Sequence, residues 1–125
     1  MVDITPIIPA DRQVIDTYGP GIFRVANTIH RTPLIVFPDR TQPWSPPAFE
    51  ALSVADFAPV VERASEVEVV LLGCGPRMLL VPRALRQAVR DAGIVMDPMD
   101  TGAACRTYNV LLAEGRRVAA VLYMV

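Results

Sequence analysis

The stretch that decides the fold is Val67-Glu68-Val69-Val70-Leu71-Leu72, followed at once by Gly73-Cys74-Gly75-Pro76. Residues 67–72 are β-branched and apolar on both faces, the pattern of a central strand covered by helices. The Gly-Cys-Gly-Pro run switches strand to loop. Downstream, Pro82 opens a helix that ends at Gly93 and carries Leu85, Ala88, Val89 and Ala92 on one face. Its other face bears Arg83, Arg86, Gln87 and Arg90. Ile94-Val95-Met96 is the next strand, and Thr101 is placed to cap a third helix that runs through Leu112 and stops at Gly115. The last strand, Val118 to Val125, is almost wholly apolar and belongs, like 67–72, in the interior of the sheet. Strands alternating with helices predict an α/β fold with a mixed or parallel sheet flanked by helices.

Upstream the reading is strands and turns. Gln13 to Thr17 is a short strand, Tyr18-Gly19-Pro20-Gly21 a turn, Ile22 to Val25 a strand, and Asn27-Thr28 a hairpin closure. Leu34-Ile35-Val36-Phe37 is a buried strand ended by Pro38. From Pro38 to Pro47, four prolines surround Trp44, so the segment pairs only at a sheet edge. Ser53-Val54-Ala55-Asp56 resembles a capping box with Asp in the usual Glu place. Leu52, Phe57, Val60, Val61 and Ala64 share a helical face, which Pro59 kinks or divides.

With 125 residues, 52% hydrophobic and 20% charged, the chain fits one domain spanning residues 1–125 and is not disordered. A net charge of −1 argues against nucleic acid as the main partner, because phosphate recognition needs a basic face. No apolar run reaches the roughly 18 residues of a membrane helix. All 12 basic residues are arginine, which excludes Schiff-base chemistry and a phosphate-loop lysine. Met1 to Ala10 has neither a cationic segment nor an apolar core, so it reads as neither secretion signal nor transit peptide. Two cysteines, Cys74 and Cys105, suit a reducing compartment, and the expected location is the cytoplasm.

Among chemically able residues, Gly73 and Gly75 follow a strand as in dinucleotide sites, with Asp97 ending the next strand. Met78, however, occupies the place of the third glycine. Cys105, in the first turn of its helix beside Arg106, has the setting that lowers a thiol pKa. Its only candidate base, His30, is distant in sequence, so neither cysteine is expected to be catalytic. One histidine and two separated cysteines do not make a zinc site, and no metal or cofactor is expected. The segments Gly73–Arg77 and Thr101–Asn109 both follow strands and are expected to meet at the carboxyl edge of the sheet. That surface would comprise Gly73, Cys74, Gly75, Arg77, Thr101, Cys105, Arg106, Tyr108 and Asn109. Trp44 is either a contact residue in its proline loop or a lid on the core.

From Tyr18 onward the chain resembles a known family. The marks are Tyr18-Gly19-Pro20-Gly21 with Phe23-Arg24, Trp44, Leu71 to Gly75, Gly93-Ile94 and Met99. The most specific are the stretch from Thr101 through Ala103-Ala104-Cys105-Arg106-Thr107-Tyr108-Asn109-Val110-Leu111 and the closing Glu114-Gly115-Arg116-Arg117-Val118. This is similar to the small domain-of-unknown-function family that includes the mitochondrial NADH dehydrogenase (complex I) assembly factor three and an adipogenesis-associated protein. The resemblance implies a three-layer α/β fold, no established catalytic activity, and no catalytic residues to carry over. It also implies a cytoplasmic or inner-membrane-peripheral protein that binds protein partners and assists respiratory-complex biogenesis. The alternative is a small-molecule or anion-binding domain, or an enzyme, working through the strand-end loops.

Overall fold

A computed structural model describes residues 11–125. The segment Met1–Ala10, whose reading as neither signal nor transit peptide is given above, lies outside them. The central sheet has five strands in the order β5-β4-β8-β6-β7. They are β4 (Leu34–Val36), β5 (Thr41–Pro43), β6 (Val69–Gly73), β7 (Val95–Met99) and β8 (Val118–Leu122). β6 runs parallel to both β7 and β8, while β4 pairs antiparallel with β8 and β5, so the sheet is mixed. The two apolar runs supply β6 and β8, two of its three inner strands, as their lack of alternation requires. Val121 and Leu72 sit opposite one another in the ladder and are fully buried. Each such side chain contributes about 1.5–3 kcal/mol relative to exposure. The proline-rich segment takes the edge position, with Pro43 ending β5.

Each face of the sheet has its own core. On one side Ile35, Val70, Leu72 and Val121 meet Leu85 and Val89 of α2 (Arg83–Asp91) and Val60 of α1 (Ala58–Val61). On the other side Leu34, Leu71, Ala120 and Leu122 meet Ala104, Cys105, Tyr108 and Leu112 of α3 (Thr101–Ala113). That makes three layers. The second flank also holds a separate antiparallel sheet of β1 (Ile15–Gly19), β2 (Ile22–Val25) and β3 (Thr28–His30), which the early strands form among themselves.

Local readings shift at several element ends, β7 running over Val95–Met99, β6 starting at Val69 and β8 ending at Leu122. β1 starts two residues later than expected, at Ile15. The second hairpin turns on Ala26-Asn27, whose φ values of 47° and 67° form a primed turn, so Thr28 already belongs to β3. The helical segment around residues 52–64 is divided as Pro59 predicts: lacking an N–H, Pro59 opens the four-residue α1 and separates it from the preceding 3₁₀ turn. The box at Ser53 survives, its N–H donating to the Asp56 carboxylate at 2.9 Å. Finally, α3 is capped by Asp100, whose side chain accepts the Ala103 N–H at 3.0 Å, and not by Thr101. The Thr101 hydroxyl is engaged elsewhere.

Candidate functional site

The two strand-following segments meet at the carboxyl edge. β6 ends at Gly73, where an added Cβ would lie 2.9 Å from the Thr101 hydroxyl oxygen and 3.0 Å from the Thr101 Cα. Only glycine lets the strand end approach α3 this closely. Two residues on, Gly75 has a φ of +102°, the left-handed region that glycine tolerates. This geometry aims the Gly75 N–H at the Thr101 hydroxyl, 2.9 Å away, while the Gly75 carbonyl accepts the Thr101 N–H at 2.8 Å. The same hydroxyl donates to the Tyr123 carbonyl at 2.9 Å, and the Tyr123 N–H returns to the Gly73 carbonyl at 3.0 Å. Cys74 donates its N–H to Met99 at 2.8 Å. The ends of β6, β7 and β8 are thereby laced together.

This lacing has a chemical consequence. An anion seat at the start of α3 needs free N–H groups. Those of Thr101 and Ala103 are already taken, the second by the carboxylate of Asp100. Several residues of the expected edge surface are drawn inward. Cys105 and Tyr108 are in the core, and Thr101 is fully buried. Desolvation pushes the Cys105 thiol up to about 12, outweighing the opposite pull of Arg106, and it raises Cys74 as well. The lowered thiol pKa suggested by the helix start does not arise. Asn109 turns inward to Ile15, donating to its carbonyl at 2.8 Å and accepting its N–H at 3.0 Å. Trp44 is a lid on the core: only 6% exposed, it donates from Nε1 to the Asp56 carbonyl at 2.9 Å and packs edge-on against Tyr123 and Phe57.

Arg77 and Arg106 remain outside, the latter donating to the Tyr18 hydroxyl. The loop carrying Arg77 also exposes two apolar side chains, Met78 at 58% and Leu80 at 92%. In the sequence Met78 reads only as the absence of a third glycine. The signal available was Met-Leu-Leu in a segment between two prolines, where no amphipathic period explains an apolar run.

A second feature lies at the opposite edge, by the amino ends of β6 and β8. A cleft of about 550 Å³ opens between the 63–66 turn, the end of α3 and the Arg116-Arg117 lead into β8. Its parts are far apart in sequence, so no local motif announces it. Among the described residues no cluster of three His, Cys, Asp or Glu side chains is arranged to hold a metal ion. No helix among them is long and apolar enough to cross a membrane.

Against known proteins, the family described as protein of unknown function (DUF498/DUF598) matches residues 15–123. The chain belongs to that family. An uncharacterized protein of Rhodobacter capsulatus is 39% identical over 108 residues, covering 86% of this chain and 82% of that one. NADH dehydrogenase [ubiquinone] 1 alpha subcomplex assembly factor 3 of Homo sapiens is 27% identical over 113 residues, covering 90% of this chain. The chain spans only 61% of the human protein. Among solved structures, an outer membrane protein from Bartonella henselae superposes with a TM-score of 0.84 at 40% identity, covering 93% of this chain and 98% of that one. The family resemblance read from Thr101–Leu111 and Glu114–Val118 thus holds, and the relatives that this chain matches include proteins named as assembly factors.

Proposed function

We propose that this DUF498/DUF598 protein is a non-enzymatic protein-interaction factor that assists assembly of respiratory NADH dehydrogenase. The observation that carries the reading is the match to assembly factor 3 across nine-tenths of the chain. The proposed unit is one domain over residues 1–125, acting in the cytoplasm at the periphery of the inner membrane. Its proposed contact surface is what remains of the carboxyl edge: Arg77 and Arg106, joined by the exposed Met78 and Leu80. Methionine and arginine are enriched in protein interfaces, and an apolar side chain at 92% exposure gains most from being covered. The competing anion or enzyme reading at this edge is weakened by the donors already taken at the start of α3.

The test is deletion of the gene in its host, followed by native gel separation of respiratory complexes. Partial NADH dehydrogenase assemblies should accumulate, and cross-linked tagged protein should carry subunits of that complex. Normal assembly together with cross-links only to unrelated proteins would refute the reading.

A further inference from the structure

The cleft by the amino ends of β6 and β8 carries charge that the fold does not use. Arg63, on one wall, is paired with two carboxylates: its Nη2 meets Asp39 at 2.9 Å, its Nε meets Glu66 at 2.8 Å, and the guanidinium lies 4.2 Å over the Phe37 ring. Arg116 pairs with Glu68 at 2.8 Å. Arg117 and Arg12 differ. Arg117 gives one Nη1 hydrogen to the Ser65 carbonyl at 3.1 Å, and neither guanidinium has a carboxylate within ion-pair distance among the described residues. Both line the cleft.

One buried donor on the cleft wall also lacks an acceptor, Nη1 of Arg63. Buried donors without partners are rare in native proteins, and each one asks for a missing acceptor. An apolar part of the lining is contributed by Pro38, Leu112 and Ala113, beside Ser65 and Gly115. A volume of about 550 Å³ falls within the range of small-molecule sites and exceeds what a bare inorganic ion fills.

We infer that this cleft binds a small organic oxyanion, a phosphate ester or a carboxylate, with Arg12 and Arg117 holding the anionic group and the Leu112–Pro38 wall covering its apolar body. Guanidinium forks suit both groups, since each presents paired oxygens to paired N–H donors. Asp39 and Glu66 do not bar the anion, because both are turned to Arg63. The inference is independent of the assembly reading, which places its contacts at the opposite edge.

The test is titration of the ¹⁵N-labelled full chain with phenyl phosphate and, separately, with benzoate. Chloride holds the ionic strength constant, and benzyl alcohol serves as the neutral control. Saturable shifts are expected at Ser65, Gly115 and Arg117 for at least one anion and not for the alcohol, and the tighter arm assigns the ligand class. R12Q and R117Q should each weaken binding by about tenfold, the effect of losing one charge-assisted contact. R83Q, on the exposed face of α2, should leave it unchanged, and the spectra themselves show whether each variant is folded. Absence of saturation with both anions, or binding that falls equally in R83Q, overturns the inference.

Discussion

The carboxamide of Asn109 holds both backbone polar groups of Ile15, which lies 94 positions earlier in the chain. It stands where a neighbouring strand would otherwise pair, and so fastens β1 to α3. Asn109→Ala strands a donor and an acceptor together. The expected cost is about 1–3 kcal/mol, a melting temperature several degrees lower. Amide exchange should quicken in β1–β3 more than in β6 and β8. An unchanged melting temperature would show that the small sheet is held by its apolar contacts alone.

Gly73→Ala tests the close approach of β6 to α3. The new methyl would press on the Thr101 Cα, a backbone atom that cannot rotate away. Overpacking of this kind costs about 1–3 kcal/mol. Thr101→Val should cost a similar amount for another reason, since it leaves the Gly75 N–H without its acceptor. Urea denaturation of both single variants and of the double variant measures this. The losses should not add, because both act on one contact; simple additivity would contradict the arrangement.

Burial sets an alkaline limit. The Cys105 thiol titrates at about 12 in the fold against an ordinary 9.0, the principal cause being desolvation. As the pH rises the unfolded chain releases this proton first, so the thiol's contribution is intact below pH 9 and is lost between 9 and 12. Cys74, Tyr108 and Tyr123 are shifted in the same direction, also chiefly by burial. The melting temperature should therefore fall steeply above about pH 9, and Cys105→Ala should shallow that fall without removing it. At pH 8 neither thiol should react with a disulfide reagent until denaturant is added. A fast-reacting Cys105 in the native protein would overturn the assignment.

Residues 67–72 and 118–125 reveal the architecture in the sequence because an apolar run is a local signal with few structural solutions. Pro38 to Pro47 does so for the same reason, since proline cannot donate to a ladder. The site was harder to read. Thr101 to Leu111 mixes small, polar and aromatic residues without a clean period, so the sequence does not tell that Tyr108 faces the core and Arg106 the solvent. Asp100 and Thr101 are both able caps, and only the Gly75 N–H decides which hydroxyl or carboxylate is free to serve. The cleft joins residues near 12, 39, 63 and 116, and depends on tertiary pairing alone.

The apolar loop offers a separable test. Met78→Ser with Leu80→Ser changes exposed side chains only, so the melting temperature should move by no more than about 0.5 kcal/mol of stability implies for each. Capture of NADH dehydrogenase subunits by the tagged variant should drop severalfold relative to the parent. Equal capture by the two would move the contact surface away from this loop.

The edges of both sheets are closed to a visiting strand, each by its own device. β5 is three residues long and ends in Pro43, and β7 carries Pro98, which has no N–H to offer. On β1 the carboxamide of Asn109 already occupies Ile15, and β3 is only three residues long. Copies of this chain therefore have little means of stacking ladder upon ladder, in solution or while folding. Any other chain with a free strand likewise meets side chains here and not a template on which to extend its own sheet.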